Sequence, residues 1–164
     1  MSKTEKNLKD AFAGESQANR KYLAFARKAE NEGLKGLARL FRAAAHGETV
    51  HALSHFEVSG GVSDSMDNLK KAIEGETYEF TDMYPKFIDQ AEREGNGRAG
   101  MSFVRANEIE REHERLFREA LEKDGNIEEK EYYVCEVCGH IEIGGAPEKC
   151  PVCQMPKDRF KKID

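Results

Sequence analysis

Two stretches of this chain carry the pattern Glu-x-x-His inside segments whose apolar residues recur at helical spacing: Glu48-Thr-Val-His51 and Glu110-Arg-Glu-His113. Residues three apart on a helix share a face, so each pattern sets a carboxylate beside an imidazole. Each is also preceded by a glutamate on an apolar stripe. Glu15 lies 33 residues before Glu48, and Glu76 lies 34 residues before Glu110. The chain therefore repeats one helical hairpin twice, with acids and imidazoles where core residues belong. A carboxylate taken out of water must be neutralised, paired or bound to a cation. That requirement narrows the fold to helices packed around one shared, highly charged site.

The remaining periodicity supplies four helices. Ser2-Lys-Thr-Glu5 reads as a capping box opening the first, whose stripe runs Leu8, Phe12, Ala18, Tyr22 and Ala26 and stops before Gly33. The second carries Leu37, Phe41, Ala44 and Ala52 and ends at Gly60-Gly61. Ser65 or Asp67 is expected to cap the third, which turns Leu69, Ile73, Phe80, Met83 and Phe87 inward and ends at Gly95. Pro85 should kink it. The fourth carries Phe103, Ala106, Phe117 and Leu121 and stops at Gly125. Glu79 lies beside Glu76 on the third stripe. The expected fold class is an all-α four-helix bundle followed by a small metal domain: residues 1–125 form the bundle, 126–130 a linker and 131–164 the metal domain.

A lone Glu-x-x-His is usually a solvated helix face. Two of them, each on an apolar stripe and each matched to an inward glutamate, form the ligand set of di-iron and di-manganese carboxylate bundles. Mixed oxygen and imidazole donors suit iron or manganese better than a thiol-preferring metal. His55 has no counterpart in the repeat, since Phe117 stands at the equivalent place. It reads as a core or edge histidine, His46 as solvent-facing, and Glu108, Glu112 and Glu114 as surface charge.

All four cysteines lie in the tail, as Cys135-Glu-Val-Cys138 and Cys150-Pro-Val-Cys153. Two Cys-x-x-Cys pairs at this separation indicate a tetrahedral thiolate site for iron or zinc. Tyr132, Tyr133, Val134, Ile141, Ile143 and Phe160 could surround it, and so small a domain depends on its metal to fold. A redox neighbour in the bundle gives iron a use there that zinc would lack, with zinc a possible substitute.

Charged residues make up 35% of the chain, the hydrophobic set 38%, and the net charge is -5 with both signs interspersed. That balance suits solvated amphipathic helices and offers no basic nucleic-acid patch or membrane surface. No segment is apolar enough to span a membrane, and Met1–Asp10 lacks the apolar core of a secretory signal, so a cytoplasmic location is expected.

Ala13-Gly-Glu-Ser-Gln-Ala18 with Tyr22, Glu48-Thr-Val-His51, Gly75-Glu-Thr-Tyr-Glu79 running into Met83-Tyr-Pro85, Glu110-Arg-Glu-His113 and the cysteine tail together resemble the rubrerythrins over essentially the whole chain. The resemblance implies a ferritin-like di-iron bundle, a rubredoxin-like four-cysteine iron domain, and a non-haem peroxidase that reduces hydrogen peroxide to water in oxidative stress defence. Electrons would come from a donor such as a rubredoxin or an NAD(P)H-dependent reductase. Glu15, Glu48, Glu76, Glu110 and His113 would be iron ligands, with Glu48 and Glu110 bridging. One iron would move between His51 and Glu79 as its redox state changes. Tyr22 and Tyr84 match tyrosines that orient carboxylates. Peroxide takes up two electrons and two protons as its O–O bond breaks, which suits two ferrous ions amid carboxylates able to change denticity and pass protons.

One departure stands out. In the ferritin-like topology the second and third helices run parallel, so their link must cross the bundle. A second helix of roughly 24 residues is about 36 Å long. Only Ser59 to Ser65 join the two helices, and seven extended residues reach about 25 Å. The chain is therefore expected to form a domain-swapped homodimer, each site taking Glu15, Glu48 and His51 from one protomer and the rest from the other. Two other readings compete. A ferritin-type ferroxidase would not need the cysteine tail, and a zinc-ribbon interaction module would show no turnover.

Overall fold

A computed structural model describes all 164 residues, which divide into two compact units, Met1–Ser63 and Asp64–Asp164.

The first unit is a helical hairpin of α1 (Lys3–Asn31) and α2 (Lys35–Val58). The capping box forms: the Ser2 side chain accepts from the Glu5 backbone N–H at 3.2 Å, and Glu5 accepts from the Ser2 N–H at 2.6 Å. At the other end Gly33 adopts φ +79°, and the Leu34 N–H bonds back to the Ala29 carbonyl at 2.8 Å. This is a Schellman closure, and its left-handed residue is most cheaply a glycine.

Small residues hold the hairpin together. Ala26 and Ala29 of α1 and Ala38, Ala45 and Ala52 of α2 are its buried residues, the last three spaced by sevens. Asn19 spans the pair, donating to the Ala45 carbonyl at 2.6 Å and to the Thr49 hydroxyl at 2.8 Å. Phe12 and Phe56 stack at 4.8 Å. The sequence reading placed Leu37 inward, yet it is 42% exposed, and Leu40 and Leu53 are more so. Alanine-on-alanine packing lets α1 cover one flank of α2. The flank bearing Leu37 and His51 stays uncovered within the hairpin.

In the second unit α3 (Ser65–Tyr78) is capped by Asp64, whose carboxylate accepts from the Asp67 N–H at 2.9 Å, rather than by Ser65 or Asp67. What the sequence presents as one third helix is α3, a π-helical turn over Glu79–Met83, and α4 (Tyr84–Arg93). Pro85, near the start of α4, has no N–H for the Thr81 carbonyl, and the wider turn absorbs the defect in place of a simple kink. A π turn adds one residue, so everything beyond it rotates by about 100°. Tyr84 then takes the place along the Glu76 face that uninterrupted spacing assigns to Met83. Its ring lies 6.2 Å from Phe87 and 6.3 Å from Phe103.

Helix α5 (Gly97–Glu122), capped by Asn96, packs against α3 and α4. The tail forms an antiparallel sheet of β1 (Tyr132–Cys135), β2 (Ile141–Ile143) and β3 (Phe160–Ile163) in the order β2-β1-β3. Val134 pairs with Ile141 on one side and Lys161 on the other. The two Cys-x-x-Cys turns project from this sheet. No helix is long and apolar enough to cross a membrane.

Candidate metal centres

Each unit carries one half of the donor set read from the repeat. In the first, Glu15 of α1 joins Glu48 and His51 of α2, with their ligand atoms all within 4.8 Å of one another. His51 Nδ1 is 2.9 Å from Glu48 Oε2, which confirms the shared face. The His51 side chain is 60% exposed, because it lies on the uncovered flank of α2. Tyr22, about two turns beyond Glu15 along α1, is half-buried with its ring 6.3 Å from Phe41.

The second unit repeats the arrangement with Glu76 of α3 and Glu110 and His113 of α5. His113 Nδ1 stands 3.0 Å from Glu110 Oε2 and 3.7 Å from Glu76 Oε1. Donors about 2.1 Å from one ion and at right angles to each other lie about 3 Å apart, so these positions fit a hard or borderline cation. Burial, with the nearby Glu110 charge, holds the Glu76 and Glu79 carboxyls above the usual range. Burial also raises the Tyr84 phenol, helped by Glu110, Glu79 and Glu76. Acids massed in this way call for a positive ion. Glu79 stands outside the close trio, yet near enough to feel Glu110 and His113.

The four cysteine sulfurs also gather within 4.8 Å. Cys135–Cys153 and Cys138–Cys150 are each 3.6 Å apart, too far for disulfides. A tetrahedral ion about 2.3 Å from four sulfurs sets them about 3.8 Å apart, close to what is found. Burial pushes the Cys138 thiol well up, while the His140 N–H donates to its sulfur. The N–H groups of Val152 and Cys153 do the same for Cys150. These amides favour the thiolates that a bound metal requires.

The two sites of this unit meet. With His113 Nδ1 turned to the carboxylates, Nε2 is the nitrogen facing the Gly139 carbonyl, at 3.4 Å. Gly139, at φ +89°, follows Cys138 directly, and a Cβ there would stand 3.5 Å from Ile109 Cγ2 of α5. Beside it His140 is buried, 6% exposed, with Nδ1 2.6 Å from Glu112 of α5 and Nε2 3.2 Å from Glu142 of β2.

Glu112 is therefore no surface charge, and Glu114, half-buried, pairs with Arg118. An imidazole directly after a Cys-x-x-Cys-Gly turn was the available signal. Its partner, 28 residues earlier on a helix, was not visible from spacing. Glu108 and His46 are exposed and His55 half-buried, as read.

A rubrerythrin profile matches residues 6–121, and a profile of the rubrerythrin rubredoxin-like domain matches residues 133–161. Nigerythrin from Nitratidesulfovibrio vulgaris is 36% identical over 96% of this chain and 85% of that protein. A rubrerythrin from Porphyromonas gingivalis is 36% identical over 99% and 90%. Among solved structures, nigerythrin in a partially reduced state aligns with a TM-score of 0.59 at 34% identity, covering 99% of this chain and 88% of that one. The fully reduced, all-ferrous state of nigerythrin aligns equally well. Both donor sets fit the iron cofactors these matches imply, a carboxylate and histidine di-iron site and a rubredoxin-like four-cysteine site. The chain belongs to the rubrerythrin family.

Proposed function

We propose that the chain is a non-haem peroxidase that reduces hydrogen peroxide to water with electrons relayed through the four-cysteine iron. The observation that carries this reading is the contact between the two metal sites: the Gly139 carbonyl, one residue from Cys138, lies at the ring of His113. A purely structural metal has no use for such an approach. A one-electron centre serving a second metal site does.

In this reading Glu15, Glu48, His51, Glu76, Glu79, Glu110 and His113 hold two irons, and Cys135, Cys138, Cys150 and Cys153 hold one. With iron bound, this site would supply the two electrons that reduce one hydrogen peroxide, with two protons, to two waters. The chain's own part is to position and to move protons. Glu48 and Glu110, each lying against the histidine of its own motif, would both help to hold the ions. Glu79, which lies apart from the close trio, would be the carboxylate that exchanges with His51 as a ligand. The raised phenol of Tyr84 keeps its proton and orients the acids around it; Tyr22 has the matching place on α1. His113 keeps Nδ1 on the metal side by donating Nε2–H to Gly139.

Each unit offers only three close donors, whereas a di-iron centre draws on four helices. With only residues 59–64 joining α2 to α3, the complete site forms in a domain-swapped homodimer. The external electron donor is a carrier such as a rubredoxin or an NAD(P)H-dependent reductase, and the setting is the cytoplasm.

The test is anaerobic. Iron-loaded, fully reduced protein is mixed with one equivalent of hydrogen peroxide, and the visible absorption of the four-cysteine iron is followed. Recolouring much faster than with air supports the peroxidase. Faster recolouring with air would replace it with oxygen-linked iron oxidation.

A further inference from the structure

Two neighbouring residues of the first cysteine turn, Gly139 and His140, make polar contacts with α5. Directly after Cys138, Gly139 lies against Ile109 and points its carbonyl at His113, and His140 reaches Glu112. Ile109, Glu112 and His113 lie three and one residues apart along α5, so they share the face the tail rests on. His140 is the buried polar side chain of the tail. Both of its ring nitrogens are engaged, one by the helix and one by Glu142 of its own sheet, and Phe160 meets its ring edge-on at 6.3 Å. An imidazole held on three sides cannot turn freely, so its 2.6 Å bond to Glu112 registers the cysteine turn against the helix.

We infer that the His140–Glu112 pair is a positioning device, which holds the four-cysteine domain on α5 so that the Gly139 carbonyl stays against His113 and electrons cross between the two metal sites. The inference rests on the reading that both sites hold iron. One electron moves: the four-cysteine iron goes from ferrous to ferric as a ferric ion at the His113 site becomes ferrous. No bond or proton changes hands. The covalent path is short, from Cys138 Sγ through its own backbone and Gly139 to the carbonyl, then across 3.4 Å to the imidazole. Neither His140 nor Glu112 lies on it. They act by keeping its one non-covalent step closed.

The experiment uses Glu112→Ala, which leaves the cysteine turn itself unaltered, with Glu112→Gln as the conservative variant and His140→Ala as the other side of the pair. Oxidised, iron-loaded protein receives less than one electron equivalent in a fast pulse, and visible absorption follows the electron as it redistributes between the sites. Peroxide is absent, so a protein that fails as a peroxidase still reports on the contact. Hydrogen–deuterium exchange of residues 138–143 is measured in parallel on zinc-loaded protein. Loss of the pair should raise exchange in that segment and slow redistribution about tenfold or more. The visible spectrum and potential of the four-cysteine iron should stay as in the parent, and Glu112→Gln should recover most of the rate. Unchanged exchange in Glu112→Ala would overturn the inference. So would raised exchange with an unaltered transfer rate, or a rate loss accounted for by a shifted potential.

Discussion

A swapped dimer makes a quantitative prediction about mixtures of two defective chains. One chain carries Glu48→Ala with His51→Ala and loses the half-site of α2. The other carries Glu110→Ala with His113→Ala and loses that of α5. Alone, each forms dimers in which both sites lack one half. If each site combines Met1–Ser63 of one protomer with Asp64–Asp164 of the other, a heterodimer brings both intact halves together at one site and both defective halves together at the other. Random pairing makes about half of the dimers mixed, so about one quarter of all sites are whole; in a purified heterodimer the fraction is about one half. The two chains are co-expressed with different affinity tags and the heterodimer is isolated. Bundle iron and the rapid phase of peroxide-driven recolouring are then measured against the parent. The fast amplitude should be about half, since only the four-cysteine iron beside the intact His113 is served. Sites assembled within single chains would give none, because every chain lacks one half. That outcome, or a parent protein that stays monomeric with its bundle iron in place, would refute the swap.

Acid should stabilise the metal-free protein through Glu76 and Glu79. Their folded-state values lie above 4.5, raised by burial and by Glu110, so the folded chain binds these protons more tightly than the unfolded chain. Their contribution is fully present below about pH 4.5 and is lost as pH rises through the raised values. Thermal melts of Glu76→Gln without metal should therefore show a shallower fall with pH than the parent and a higher midpoint at neutral pH; a steeper fall would contradict the burial argument. Removing metal from the four-cysteine site should unfold residues 131–164 and leave the helices, since a structural ion of this kind contributes about 10 kcal/mol or more to so small a domain. Helical circular dichroism that persists while backbone exchange in the tail rises would bear this out.

Much of the metal chemistry was legible in the residues themselves. The two Glu-x-x-His patterns, their partner glutamates and the paired cysteines declare themselves because helical period and knuckle spacing are local, and the structure gathers each trio and the cysteine quartet accordingly. Leu37 and the third helix depart from expectation for two reasons: periodicity tells which residues share a face but not which neighbour covers it, and a π turn changes the period midway. Tyr84 therefore reaches the face expected for Met83. Glu112 and His140 show the same limit over a longer range. Each is unremarkable in its own segment, and only the docking of the tail on α5 turns a helix acid and a turn imidazole into a buried pair. The spacing within each Glu-x-x-His and Cys-x-x-Cys motif is a property of a few consecutive residues and survives in the sequence. Contacts between distant segments are set by how whole surfaces pack, and only the tertiary structure decides them.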